Sequence, residues 1–130
     1  MSTFEELVKP HNSNFVCTFC RKSFVIESRY LAHECESMRR ERECKTPRGQ
    51  QALKYYQEWM RYQRRMVPSL STFKTSKLYN AFMSFAEFVQ RVRLPRVDVF
   101  MKLMVNKQFQ PTMWCSDDVY TLYLNHLDVC

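Results

Sequence analysis

The sequence predicts a mostly α-helical protein, with a small ββα metal-binding finger followed by a compact helical domain of about four helices. Three observations carry this expectation. Glycine occurs once in 130 residues, at Gly49. Rossmann units, phosphate-cradling loops and hairpin-rich sheets all draw on positions with φ > 0 that glycine fills at least cost, so these classes are disfavoured. Apolar residues recur at helical spacing through most of the chain, and two cysteines and a histidine near the N-terminal end stand at metal-ligand spacing.

The finger is the most specific signal. In Phe15-Val-Cys17-Thr-Phe-Cys20-Arg-Lys-Ser-Phe24-Val-Ile-Glu-Ser-Arg-Tyr30-Leu-Ala-His33, two residues separate the cysteines and twelve separate Cys20 from His33. A cysteine pair so spaced suits the knuckle between two short strands, where both thiolates face one ion. The histidine would come from the helix that follows, with Phe15, Phe24 and Tyr30 filling a tiny core. A unit this small cannot fold on apolar burial alone. A structural zinc ion contributes ~10–16 kcal/mol in comparable peptides, enough to decide the matter.

Over residues 15 to about 35 these features resemble the C2H2 zinc-finger family. The resemblance implies that Cys17, Cys20 and His33 are the first three ligands of a Zn2+ ion and that Phe24 and Tyr30 are core positions. The fourth ligand departs from the family pattern. With the family's three to five intervening residues it would fall on Ser37, Met38 or Arg39. Cys35 stands two places after His33, and residues two apart on a helix point about 200° apart. Ligation by both requires the helix to loosen or end near Glu34. Cys44 competes, sharing His33's face by angle but lying about 16 Å further along an unbroken helix. His11 and Glu36 are remoter candidates. Cys35 is the expected fourth ligand. In the family's geometry, helix positions −1, 3 and 6 read bases. Here they are Ile26, Arg29 and Ala32, and only Arg29 has donors suited to a base edge. Sequence-specific reading by the finger is not expected.

The chain divides into a finger module with a basic helical extension, residues 1–45, and a helical domain, residues 46–130. The finger helix is expected to run from Ser28 to about Arg42. Thr46 is placed to cap a second helix with Pro47 at its first position. That helix should reach Arg65, with Ala52, Tyr56, Trp59 and Met60 on one side and Lys54, Arg61 and Arg65 on another. Pro68, Ser69 and Ser71 mark a connection. Leu78, Phe82, Phe85, Val89 and Val92 form the cleanest amphipathic stripe, ending before Pro95. A shorter helix turns Val97, Phe100, Met101 and Met104 inward. Past Pro111, Ser116-Asp117-Asp118 opens a last helix that should bury Val119, Leu122, Tyr123 and Leu127. Cys115, Cys130 and His126 have no metal-like neighbours in sequence.

The net charge is +7, and between Glu36 and Met66 nine Lys or Arg face four Glu, a local excess of +5. Arg39, Arg40, Arg42, Arg48, Lys54, Arg61, Arg64 and Arg65, with Arg29 of the finger, are the candidate contacts to nucleic acid. Phosphate contacts of this kind give affinity without much sequence discrimination. The expectation is a zinc-binding accessory protein that binds nucleic acid. The alternative is an adaptor that docks on a larger protein assembly such as a polymerase or a phage structure. No Ser/His/Asp order, paired-carboxylate motif or HExxH points to an enzyme or a small-molecule substrate. MSTFEELVKPHN lacks the basic flank and apolar run of an export signal, and no stretch reaches the ~18 apolar residues of a membrane span. A soluble, intracellular, cytoplasmic protein is expected, its cysteines serving as thiols or ligands. The run from the finger through GQQALKYYQEWM to LYNAFMSFAEFV and PTMWCSDDVYTLYL is similar to small zinc-finger proteins of T4-like tailed phages. That resemblance implies action in the cytoplasm of an infected host. The abrupt end after HLDVC suggests a C-terminal continuation.

Overall fold

The computed structural model describes residues 15–129; His11 and Cys130 lie outside the described residues. The chain forms two compact units, one ending at Glu41 and the other beginning at Arg42.

In the first unit, strand β1 (Phe15–Val16) pairs antiparallel with β2 (Ser23–Phe24), Phe15 opposite Phe24. Helix α1 (Glu27–Ala32) lies against both strands. The Tyr30 ring stands 5.6 Å from Phe15 and 6.0 Å from Phe24, forming the small core expected from the sequence. The expected single helix from Ser28 to Arg42 is instead two. His33 adopts an extended backbone (φ −69°, ψ 133°) that ends α1, and α2 (Glu36–Glu43) begins three residues later. The Cys35 carbonyl accepts the Arg39 N–H at 3.0 Å and so starts the second helix.

The second unit is built of helices α3 (Pro47–Tyr62), α4 (Leu70–Lys74), α5 (Tyr79–Val92), α6 (Val97–Lys107) and α7 (Asp117–Val129), with a 3-10 turn at Pro111–Met113. The four long helices are those expected. The fifth, α4, occupies the segment read as a connection, capped by Ser69 Oγ, which accepts from the Thr72 N–H at 3.2 Å, and anchored by the fully buried Phe73. Helix α3 starts as predicted, with Thr46 Oγ1 accepting from the Gly49 N–H at 3.1 Å. It ends three residues short of Arg65. Arg64 turns left-handed (φ 60°), Arg65 N–H donates to the Met60 carbonyl and Arg64 N–H to the Arg61 carbonyl, both at 2.9 Å. This is a Schellman ending with arginine where glycine is usual. Gln108 closes α6 the same way (φ 60°), with bonds from Gln108 N–H to Val105 and Phe109 N–H to Met104. Scarcity of glycine therefore does not exclude left-handed turns here.

Helix α5 packs along α3, and α3 also meets α6. At the centre Trp114 is fully buried, its ring 5.0 Å from Phe85, 5.4 Å from Phe82 and 6.1 Å from Phe100. Phe82, Phe85, Phe100, Met101, Met104, Val119 and Tyr123 are buried as the periodicity predicted. Leu122 is not, being 38% exposed. Val119, Tyr123 and Leu127 follow one another at four-residue steps and define the inward stripe of α7. Leu122 falls off the edge of that stripe, on the side away from Tyr120.

Candidate metal centre

The knuckle between β1 and β2 turns the chain back tightly. Cys17 N–H donates to the Lys22 carbonyl at 2.9 Å, and Arg21 N–H donates to the Cys17 carbonyl at 2.8 Å. Arg21 takes a left-handed conformation (φ 69°) to close it. His33 follows α1, its ring 4.8 Å from that of Phe24. Because the backbone is extended at His33, Cys35 returns toward the knuckle instead of pointing away along a helix.

The outcome is a Cys3His group of Cys17, Cys20, His33 and Cys35, whose four ligand atoms lie within 4.8 Å of one another. Cys17 Sγ and Cys35 Sγ are 3.9 Å apart, and Cys20 Sγ is 3.4 Å from His33 Nε2. A tetrahedral ion with zinc's bond lengths separates two thiolates by about 3.8 Å and a thiolate from an imidazole nitrogen by about 3.6 Å. The donor set and its spacing fit a metal ion of that size. Cys17 is 3% exposed. The Cys20 backbone N–H hydrogen-bonds its sulfur, and with help from the Phe19 N–H and the Cys20 and Cys35 thiols it outweighs burial, lowering the Cys17 thiol from an ordinary 9.0 to about 6. That favours the thiolate, the form that binds metal.

The other candidates for the fourth ligand have different roles. Cys44 is 6% exposed and belongs to the core of the helical unit. Glu36 accepts from Arg39 at 2.8 Å and Arg40 at 3.2 Å, and its carboxyl is held below the usual range, first by the charge of Arg40.

The predicted basic contacts are distributed over both units. Arg29 is exposed on α1, while Arg39 and Arg40 are half-buried and paired with Glu36 on α2. In the helical unit, Arg42 and Lys54 are exposed and Arg48 reaches Glu87 at 3.6 Å. Arg61, Arg64 and Arg65 are exposed and make no ion pair among the described residues. A further set lay outside the predicted residues: Arg91, Arg93 and Arg96, all exposed at the turn between α5 and α6. The run RVRLPR was the available signal, obscured by being read only as the end of an apolar stripe.

No family model, no curated protein and no solved structure matches this chain. The likeness to C2H2 fingers therefore rests on the cluster itself, and the likeness to phage proteins gains no support. Among the described residues no helix is long and apolar enough to cross a membrane.

Proposed function

We propose that the Cys3His group holds one structural Zn2+ and that the chain is an accessory protein that binds nucleic acid through phosphate contacts. Three cysteines and a histidine whose ligand atoms converge within 4.8 Å suit zinc. Four protein ligands complete its shell and leave no position for water or substrate, which makes the ion a fold-forming element and not a catalyst. The observation that carries the nucleic-acid reading is the exposed group Arg61, Arg64 and Arg65 at the end of α3, with no ion pair among the described residues. Guanidinium groups present donors in a fork that matches phosphate oxygens. Arg39 and Arg40, already engaged with Glu36, are weaker contributors.

The test is the affinity of the purified, zinc-loaded chain for duplex and single-stranded nucleic acid across a salt series. Binding should weaken steeply with salt, with a log–log slope near ~0.9 per phosphate contact on duplex DNA. Replacing Arg61, Arg64 and Arg65 with alanine should weaken all sequences alike and flatten the slope. No binding at low salt contradicts the reading. An adaptor role is the second reading, favoured by apolar exposure on the finger, where Val25 is 79% and Leu31 72% exposed. It expects nuclease-resistant capture of a protein partner.

A further inference from the structure

We propose that Arg48, Arg91, Arg93 and Arg96 form a second phosphate-binding surface on the helical unit, an inference that rests on the nucleic-acid reading above. Three of the four follow one another closely in sequence, and packing carries Arg48 to the helix that leads into them. Arg48, from the first turn of α3, reaches Glu87 of α5 at 3.6 Å. Arg91 lies one helical turn beyond Glu87 on the same face of α5, its guanidinium 5.6 Å from the centre of the Phe88 ring. Arg93 and Arg96 follow in the turn to α6. The same stretch of chain also carries two carboxylates, Glu87 and Asp98 of the first turn of α6. Arg93 and Arg96 pair with neither.

The turn is held rigidly. Leu94, 6% exposed, drops into the core, and its N–H donates to the Val89 carbonyl at 3.0 Å. The hydroxyl of the fully buried Tyr123 donates to the carbonyls of Pro95 and Arg96. The backbone that carries Arg93 and Arg96 is thus held in place, so a contact need not order the turn itself.

Local rules are broken here in a consistent direction. Among the described residues five non-glycine positions have positive φ, and four of them are arginine: Arg21, Arg64, Arg93 and Arg96. Arginine makes up 12 of 130 residues, so its share of these positions is far above its share of the chain. Glycine would fill each with less strain. Arg96 breaks two further rules, because it occupies the N-cap of α6 (φ 53°), where Ser, Thr, Asp or Asn is preferred and where the helix dipole disfavours a cation. Arg96 thus stands against backbone, capping and dipole preferences at once, an outlier that points to a role for its side chain. The partner is a polyanion and not a protein surface. None of the large exposed apolar residues falls between Glu87 and Asp98 in sequence, whereas the buried centre of a protein interface is enriched in apolar and aromatic residues.

The left-handed backbone gives a clean experiment. Arg93→Gly/Arg96→Gly removes two guanidinium groups while relieving strain, so melting temperature should hold or rise. Binding to duplex DNA should nevertheless weaken, and the log–log salt slope should fall by about 1.8, at ~0.9 per lost contact. Gln108→Gly is the control: the same backbone relief without loss of charge, with binding unchanged. If the glycine pair lowers melting, Arg93→Asn/Arg96→Asn, which tolerates the same conformation, supplies the comparison. Wild-type binding that falls with alanine at Arg61, Arg64 and Arg65 but not with either turn variant overturns this inference and leaves the earlier reading standing. Absence of wild-type binding at low salt overturns both. Loss of an acidic protein partner, with DNA affinity unchanged, reassigns the surface to protein.

Discussion

Gly49 faces the backbone of Glu43 so closely that a Cβ on Gly49 would overlap the Glu43 carbonyl oxygen and stand 2.6 Å from the Cys44 α-carbon. The glycine sits in the first turn of α3 with ordinary helical φ, so the requirement is space and not backbone freedom. Within this same unit Cys44 buries into the core, and Tyr79 donates to Glu43 Oε1 at 2.8 Å. Gly49→Ala should therefore destabilise the helical unit by ~1–3 kcal/mol, the usual cost of overpacking, despite alanine's better helix propensity. Urea unfolding checks this. An unchanged or higher midpoint contradicts the close approach.

Phe82 is fully buried, with the rings of Tyr56 at 5.2 Å, Trp114 at 5.4 Å and Trp59 at 5.6 Å. Phe82→Ala should cost ~3–5 kcal/mol, a large part of a small domain's stability. Leu122→Ala, at a 38% exposed position, should cost much less. Comparable losses from the two substitutions in denaturant titrations would show that the inward face of α7 is wrongly placed.

Cys35 and Cys44 should separate cleanly in metal retention. Cys35→Ala removes one of the four converging ligands, whereas Cys44→Ala only opens a small gap in the other unit's core. A chromophoric chelator should strip zinc readily from the first and slowly from the second, and the reverse order would move the fourth ligand to Cys44.

Acid should also release the metal, because protons compete for the thiolates. The hydrogen bonds of the folded site lower the Cys17 thiol from an ordinary 9.0 to about 6. A depressed value stabilises the folded form above the ordinary value, and that contribution disappears as pH falls through about 6. Chelator-monitored release should therefore increase as pH is lowered from 8 to 5; release independent of pH would contradict thiolate ligation.

Much of this was legible in the sequence where side chains announce themselves. Cys17, Cys20 and His33 declare a site by spacing, Thr46-Pro47 declares a helix start, and Phe82 and Phe85 declare a buried stripe. The break between α1 and α2 carries no proline or glycine. It could be inferred only conditionally, as what Cys35 would need in order to join His33. Helix ends at Arg64 and Gln108 were hidden for a related reason: left-handed positions usually marked by glycine are held by long polar side chains. Leu122 shows the limit of apolar counting, since the stripe's centre is set by the partner helices and not by composition. Charge density alone did not separate Arg39 and Arg40, engaged with Glu36, from Arg61, Arg64 and Arg65, which have no ion pair among the described residues.

Elemental analysis of the intact chain, paired with amide spectra of residues 15–35 before and after chelation, tests the metal centre most directly. One zinc per chain is predicted, with the β1–β2–α1 signals collapsing when it is removed while the helical unit, from Arg42 onward, stays folded. Metal-free protein that keeps a folded segment from Phe15 to Cys35 would contradict it.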